Sequence, residues 1–527
     1  MSGTLPGASG GDHPPPPGQA GVYRRLVTGA AGKAISLVMQ FAEQFLLVPV
    51  FLLHWGANGY GDWLVLMSAA GFVAMLDMGL QAYFGNALQM VWARGERAAF
   101  HRMLHTGLAI YVAITVAALP VVVGSGLSGA WPEWLNLQGP GAPSAPAALT
   151  VLGLYMLVSI PLGIVFQIYR ARGEYALGVM INNARRIVTI GAIVTVLWCG
   201  GGMAALASTF LGLSLAYWVL LVVHQKRRYP DLAFGVALPD RAMLRDLAAV
   251  CPFYAVLPVA TTATLQGTVI LISALGTAGA GVVAFTTVRT LCGMARTVAA
   301  EIGIVAGLEI ARQYAQGDMA ALARMYRFTG RLAGGLCGGL AGMIAVIGPT
   351  FLETWTLGRV PFDGAVFWPL LAAAAAAGPA IAGAKMMEFN NRPRALAGAH
   401  AAAGALTLAL CLALIPSLGV AGAAWAVLAA EIFALGVPVP WFAARIARLS
   451  PIAFIASTHG FAALSFAISM SVAYVAVALT GNDGFARLAA AGAIWAATAA
   501  LAAPWLLLNA SQRRGLFDRL RRRLPGG

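Results

Sequence analysis

The 527-residue sequence contains few charged residues, 10% in all, and only 19 of them are Asp or Glu. Soluble globular proteins carry about 25% charged residues. Hydrophobic residues make up 60% of the chain, and the shortage of charge extends along its length. We therefore expect many segments to lie in lipid, which argues against a soluble enzyme.

Motifs for catalysis and metal binding are also scarce. The five cysteines form no CxxC pair or other metal-ligand spacing, so the sequence predicts neither a metal site nor a cofactor. Gly29 to Lys33 lacks the spacing of a phosphate-binding loop. The longest predicted outer loop, residues 128–147, holds one carboxylate, Glu133, and leaves no room for a catalytic domain.

Arginine supplies most of the net charge of +15, since the only lysines are Lys33, Lys226 and Lys385. Nucleic-acid binding is the usual expectation for a basic chain. It is excluded here because no soluble domain is present to carry a basic patch. Positive loops that face the cytoplasm explain the charge more simply.

Apolar stretches of about 20 residues, enough to span a bilayer, recur about fourteen times. They predict helices at 33–53, 63–91, 104–127, 148–169, 177–198, 203–224, 247–273, 281–311, 330–350, 365–387, 397–415, 420–442, 453–478 and 487–509. Of the connections between them, one set holds most of the Lys and Arg residues, and the opposite set holds only Arg359 and Arg487. This asymmetry predicts a multi-pass protein of the cytoplasmic (inner) membrane, with both termini in the cytoplasm.

Two loops with similar sequences predict an internal repeat. Trp92 to Glu96 corresponds to Tyr314 to Asp318, and Arg102-Met103 corresponds to Arg324-Met325. The fold class predicted is therefore all-α, with two six-helix lobes related by a pseudo-two-fold axis along the membrane normal and two extra C-terminal helices. The alternative is a chance match between loops of small and basic residues.

The predicted organisation has five parts. They are a disordered cytoplasmic tail at 1–20, an N-lobe at 21–228, a C-lobe at 229–445, helices 13 and 14 at 446–510, and a basic tail at 511–527. The basic tail carries apolar residues at helical spacing beside arginines. We expect it to lie on the anionic lipids of the inner leaflet.

Ionisable residues at bilayer depth are costly and face a bundle interior or a wet cavity. Arg289 and Arg296 are seven residues apart on one helix face, roughly 12 and 22 Å from its outer end. They indicate either salt bridges or a cationic wall for an anionic substrate. Arg185 and Arg186 lie in the inner third of predicted helix 5, where they either join such a wall or snorkel to the surface.

Interior carboxylates and polar stripes complete the candidate site. Asp77 can pair with an arginine, take up a proton or form a structural hydrogen bond. Glu43 and Glu431 are further interior acids. Two stripes are predicted to line a central cleft, with interhelical hydrogen bonding as the alternative: Lys33, Gln40, Glu43 and Gln44 on predicted helix 1, and Tyr254, Thr261 and Thr268 on predicted helix 7.

The chain resembles the multidrug/oligosaccharidyl-lipid/polysaccharide (MOP) flippase superfamily in its fourteen predicted helices, its repeat and its predicted topology. Tyr60-Gly61-x-Trp63, Leu76-Asp77-x-Gly79-Leu80 and Ala93-x-Gly95-Glu96 are similar to motifs of the O-antigen and exopolysaccharide repeat-unit flippases. The resemblance implies a non-enzymatic carrier that moves undecaprenyl-diphosphate-linked oligosaccharides outward by alternating access.

That function implies roles for the interior residues. The diphosphate would be held by Arg289 and Arg296, with Arg185, Arg186 and Lys33. Coupling of transport to an ion, or gating of the carrier, would fall to Asp77, Glu43 and Glu431. A polysaccharide polymerase and a chain-length regulator would be partners. The alternatives are a multidrug or metabolite exporter of the same superfamily and a membrane polysaccharide polymerase.

Overall fold

Long apolar helices make up the described part of the chain. The computed structural model describes residues 19–127, 129–276, 279–389, 393–480 and 484–507, with no strand among them. Helices prevail because, in lipid, backbone polar groups must bond within their own segment. The predicted tails at 1–20 and 511–527 fall outside the described residues, apart from Gln19 and Ala20, and so do the side chains of Lys33 and Tyr254.

Seven helices form the N-terminal half. They are α1 Gln19–Gly71, α2 Leu80–Ala93, α3 Arg97–Leu127, the short α4 Trp131–Trp134, α5 Ala145–Ala171, α6 Tyr175–Trp198 and α7 Met203–Arg228. Two 3-10 turns, Phe72–Asp77 and Ala142–Ser144, precede α2 and α5.

The C-terminal half begins at α8. It comprises α8 Arg241–Ala274, α9 Ala280–Ala315, α10 Met319–Trp355, α11 Gly364–Ala376, α12 Gly378–Phe389, α13 Pro393–Leu418, α14 Val420–Ala430, a π turn Glu431–Gly436 and α15 Pro438–Ile446. Two further helices, α16 Pro451–Thr480 and α17 Gly484–Leu507, follow it.

The described helices include ten that are long and apolar enough to cross a membrane, or eleven if the bent pair α11 and α12 counts as one. The first candidate, Ile35–Asp77, has 43 residues, about 65 Å of helix and roughly twice a bilayer's hydrocarbon core. Gly56, with φ 67° and ψ −178°, breaks it into two spans. When this segment is counted as two spans, and α9 and α17 are added to the candidates, the number is consistent with the fourteen predicted helices. The protein is a multi-pass membrane protein.

Three predicted helices are interrupted, so their predicted continuity was wrong. The segment 63–91 breaks at Met78 and Gly79, which have φ values of 46° and 75°. The segment 365–387 bends by 44° between α11 and α12. The segment 420–442 contains the π turn, which begins at Glu431 and ends just before Pro438. Left-handed backbone and proline explain two of these breaks.

The two loops of the predicted repeat form the same turn. Gly95 and Gly317 have φ values of 77° and 73°. The Gly95 N–H donates to the Trp92 carbonyl at 3.0 Å, and the Gly317 N–H donates to the Tyr314 carbonyl at 3.1 Å. A left-handed residue that closes a helix is most readily glycine, which explains the glycine in each copy. The boundaries of the two lobes stay a prediction.

Buried side chains show where the two halves meet. One large cluster joins α1 of the N-terminal half to α9, α10 and α11 of the C-terminal half, and it includes Trp63, Phe285 and Trp355. The predicted inner ends instead have two separate clusters, one around Tyr169 and one around Tyr326. The halves are therefore packed together at their predicted outer ends.

Hydrogen bonds between the halves reinforce this outer closure. Trp355 Nε1 donates to the Phe45 carbonyl at 2.9 Å, and Arg359 donates to the Leu52 carbonyl at 2.5 Å. The backbone N–H of Ala280 donates to Asn58 Oδ1 at 3.2 Å. These three bonds join α1 to α9, to α10 and to the segment that follows α10.

At the opposite end, the connection from α7 to α8 is tied to the N-terminal half. Arg172 makes two 2.8 Å hydrogen bonds to the carboxylate of Asp231 and lies over the rings of Trp92 and Tyr229 at 4.2 and 4.3 Å. The Arg172 guanidinium holds the pKa of Asp231 below its usual value.

The extra helix α16 packs closely against α10 at two glycines of α10. A Cβ on Gly338 would collide with the carbonyl oxygen of Ala462, and one on Gly342 with that of Phe466. Close approach through small residues is the usual means of packing helices in membranes.

Candidate functional site

Two adjacent cavities are present, one lined mainly from each half. The C-cavity has a volume of about 470 Å³ and is lined from α1, α8, α9, α11, α13, α14 and the π turn; its polar residues include Thr261, Arg289, Arg296, His400 and Glu431. The N-cavity has a volume of about 530 Å³ and is lined mainly from α1 and α5 to α7; its polar residues include Gln40, Glu43, Tyr60, Tyr155, Asn182, Arg185 and Arg186. Gln44 and Thr290 line both cavities, so the two are neighbours.

Arg289 projects into the C-cavity without an acidic partner. Its Nη1 donates to the Leu265 carbonyl at 3.0 Å, and its guanidinium lies 5.2 Å from the centre of the Phe285 ring. Within the described residues, no carboxylate lies within ion-pair distance of it. Because a guanidinium has five N–H donors, several remain available to an anion that enters the cavity.

Arg296 forms an ion pair with Glu431 across the same cavity. The Glu431 side chain is 4% exposed, and its second oxygen, Oε1, is buried without a hydrogen-bond partner in the described structure. Glu431 opens the π turn, and π turns are frequent at functional sites. Of the two predicted interpretations of the arginines, Arg296 therefore fits the salt bridge and Arg289 the cationic wall.

The N-cavity contains a second ion pair with a similar pattern. Arg186 Nε lies 2.8 Å from Glu43 Oε2, and the two side chains are 31% and 28% exposed. Arg185 instead lies over the Tyr217 ring, 5.0 Å from its centre. Each cavity therefore has one arginine paired with a glutamate and one arginine that is not.

The remaining predicted residues separate into two groups. Gln40, Gln44 and Thr261 line the cavities as predicted. Thr268 is fully buried and its hydroxyl donates to the Thr264 carbonyl at 2.6 Å. Thr268 is in neither cavity lining, whereas Thr261, whose hydroxyl also bonds within α8, lines the C-cavity.

Asp77 lies in neither cavity lining. Its carboxylate accepts a 2.8 Å hydrogen bond from the Tyr111 hydroxyl, together with bonds from the backbone N–H groups of Gly79 and Gln81. It pairs with no lysine or arginine of the described residues. These contacts are those of a cap that satisfies the first turn of α2, which is the structural alternative considered for this residue.

Sequence reasoning missed two features of the cavities. His400, on the otherwise apolar and small-residue helix α13, lines the C-cavity beside Arg296 and Glu431. An isolated histidine in such a helix was the available signal. The aromatic side of the N-cavity, with Phe51, Trp63 and Phe210, was also missed.

An apolar groove runs beside the C-cavity, between α9 and α10 on one side and α16 and α17 on the other. One section, of about 360 Å³, is lined by residues such as Leu336, Phe461 and Ile468. A second, of about 300 Å³, continues it through the shared Val298 and Leu340. Met294 lines both this second section and the C-cavity. The described residues include no group of three side chains able to hold a metal ion.

No protein-family model and no curated protein sequence matches the chain. Several solved structures do match the fold of the chain. An inward-facing multidrug-resistance MATE transporter of the MOP superfamily matches 77% of this chain and 94% of its own, with 12% identity and a TM-score of 0.60. The lipid II flippase MurJ, in an inward closed conformation, matches 91% of this chain and 100% of its own, with 10% identity and a TM-score of 0.62.

A third structure is a MOP superfamily transporter from Pyrococcus furiosus, described by the reverse polarity of its binding pocket. It matches 81% of this chain and 95% of its own, with 14% identity and a TM-score of 0.54. The chain therefore has the fold of MOP superfamily transporters. More particularly, this is the fold of the MATE transporter and of the lipid II flippase MurJ.

Proposed function

We propose that this protein is a flippase for undecaprenyl-diphosphate-linked oligosaccharide repeat units. It would move them from the inner to the outer leaflet of the cytoplasmic membrane, for exopolysaccharide, capsule or O-antigen synthesis. The observation that carries the proposal is Arg289, a guanidinium that faces the C-cavity with no carboxylate of the described residues beside it. A diphosphate is the anion that a guanidinium fork binds best.

The apolar groove supports a lipid substrate. It adjoins the C-cavity at Met294 and extends between α10, α16 and α17 with few polar atoms. A polyprenyl chain in this groove would leave its diphosphate next to Arg289. Both ends of an amphipathic substrate would then have a matching surface, which an exporter of small polar solutes does not need.

Deletion and complementation of the gene test this function. We expect Arg289→Ala to lower surface polysaccharide export at least tenfold, about the loss expected for a charge-assisted hydrogen bond. Lipid-linked repeat units should accumulate in the inner leaflet. Arg289→Lys should retain part of the activity because the charge remains.

Arg445→Ala is the matched control, since Arg445 is exposed and lies over Trp441 outside both cavities. The amount of each variant in the membrane is measured by immunoblotting. Normal export by Arg289→Ala at normal abundance would refute the assigned role.

A multidrug or metabolite exporter is the second candidate, favoured by the likeness to MATE transporters. A pocket for organic cations needs accessible carboxylates. Glu43 and Glu431, the two acids of the cavities, are each paired with an arginine, which argues against it. Drug sensitivity of a deletion strain whose surface glycan is unchanged would favour the exporter.

A further inference from the structure

The N-cavity differs from the C-cavity in having an aromatic wall. Five of its lining side chains are aromatic: Phe51, Tyr60, Trp63, Tyr155 and Phe210. They contact one another, with ring centres 4.8 Å apart for Phe51 and Tyr60, 5.6 Å for Tyr155 and Phe210, and 5.8 Å for Trp63 and Phe210. The wall is therefore continuous. Among the described residues, the ring-bearing side chains that line the C-cavity are Phe41 and His400.

The hydroxyl of Tyr60 is left without a partner in this wall. The residue is 8% exposed and its ring stacks on Phe51 with an interplanar angle of 12°. Its hydroxyl makes no hydrogen bond to any described residue, although it belongs to a cavity lining. The hydroxyl is open to the cavity, so it can bond a molecule that enters there.

Polar side chains face the same space from the other end of the cavity. Gln40, Asn182 and Arg185 supply amide and guanidinium groups. Glu43 and Phe51 are eight residues apart on α1, about 12 Å along a helix, so the charged and aromatic ends lie at different depths. The volume of about 530 Å³ is within the range of small-molecule sites.

This combination matches the chemistry of a sugar ring. A pyranose has apolar C–H faces, which pack on aromatic rings, and a rim of hydroxyl groups, which need amide, hydroxyl and guanidinium partners. The N-cavity offers both surfaces, with the aromatic wall at one end and the amide and guanidinium groups at the other. The C-cavity has the cations for phosphate but lacks a wall on which a sugar could stack.

We propose that the N-cavity is the glycan subsite, in which the aromatic wall packs on the sugar rings while the C-cavity holds the diphosphate. The proposal rests on the proposed function. Gln44 and Thr290, which line both cavities, mark the passage where the sugar–phosphate linkage lies. The two halves of the protein therefore divide the substrate between them.

Two lipid probes separate the subsites. The first is the undecaprenyl-diphosphate-linked oligosaccharide extracted from membranes of the producing cells, and the second is undecaprenyl diphosphate without sugar. Dissociation constants are measured for the purified full-length protein in detergent. We expect Tyr155→Ala to raise the constant for the oligosaccharide-bearing lipid about tenfold, through the lost stacking surface. Binding of undecaprenyl diphosphate should not change.

Tyr60→Phe is the conservative variant, because it keeps the stacked ring and removes only the unpartnered hydroxyl. We expect it to weaken binding of the oligosaccharide-bearing lipid about fivefold, the effect of one lost hydrogen bond. Tyr474→Phe is the control, since Tyr474 is 70% exposed on α16, away from both cavities. Thermal unfolding of each variant verifies that the fold is intact.

The outcomes distinguish the two proposals. If the unaltered protein binds both lipids but the tyrosine variants weaken both equally, or neither, the aromatic wall serves packing only and the glycan subsite is refuted. If the unaltered protein binds neither lipid, the proposed function itself fails. Selective loss of the oligosaccharide-bearing lipid supports the subsite.

Discussion

The N-cavity and the C-cavity contain the same charged groups in different surroundings. Among the described lining residues, each has two arginines and one glutamate, and in each the glutamate pairs with one arginine. In the N-cavity, Arg186 and Glu43 are about a third exposed. In the C-cavity, the Glu431 side chain is 4% exposed. The glutamate of the ion pair is therefore 28% exposed in the N-cavity and only 4% exposed in the C-cavity.

The unpaired arginines differ as well. Arg185 lies over the Tyr217 ring, whereas Arg289 donates to a backbone carbonyl and keeps its remaining donors toward the C-cavity. Electrostatic attraction is stronger where water is excluded. The comparison teaches that charge alone does not distinguish the two cavities. The two cavities differ in the solvation of their charged groups and in their neutral lining residues. Both differences favour the C-cavity for the more strongly charged part of the substrate.

Stability measurements give the largest expected difference between the cavities. Arg296→Ala leaves the Glu431 carboxylate buried without its partner, which we expect to cost about 3 kcal/mol of unfolding free energy. Arg186→Ala breaks a half-exposed pair and should cost about 1 kcal/mol or less. Reversible denaturation of each purified variant in micelles measures both values.

The double variant Arg296→Ala with Glu431→Ala completes this experiment. Removing both charges should recover part of the loss, because no unpaired ion then stays buried. Equal costs for Arg296→Ala and Arg186→Ala would contradict the claim that the two pairs differ in solvation.

Charge reversal of the unpaired arginines is the next test. Arg289→Glu places an anion where the diphosphate is proposed to lie, and like charges in contact cost several kcal/mol, so export should fall about a hundredfold. Arg185→Glu should lower export only about threefold, since Arg185 borders the proposed position of the glycan portion of the substrate. Export is measured as surface polysaccharide at matched membrane abundance. A greater loss for Arg185→Glu would reverse the assignment of the two cavities.

Much of the candidate site was predictable because charge is scarce in this sequence. An ionisable side chain at bilayer depth is expensive, so each one carries information about an interior surface. Four arginines were selected because they lie at bilayer depth, and all four line a cavity: Arg185, Arg186, Arg289 and Arg296. Periodicity similarly predicted an all-helical membrane fold, because about 20 apolar residues in succession have few alternatives to a spanning helix.

The pairing of those charges was not predictable. Arg296 and Glu431 are 135 residues apart, and their contact depends on how α9 meets the π turn. Met78 likewise has no local signal for its φ of 46°, so the break before α2 was missed, and the choice among the roles considered for Asp77 stayed open. Thr268 fits the polar stripe of its helix, but its hydroxyl bonds within α8. Periodicity identifies a face and does not say what covers it.

The smallest expected effect concerns the two glutamines of α1. Gln44 lines both cavities, whereas Gln40 lines only the N-cavity. If the sugar–phosphate linkage lies at the passage, Gln44→Leu should weaken binding of both the oligosaccharide-bearing lipid and undecaprenyl diphosphate about threefold, the loss of one neutral hydrogen bond. Gln40→Leu should weaken only the oligosaccharide-bearing lipid, by a similar factor. The two substitutions are chemically identical and one helical turn apart, so a general effect on folding would alter both lipids in both variants. A parallel loss in both variants with thermal unfolding unchanged would mean that the cavities act as one undivided site.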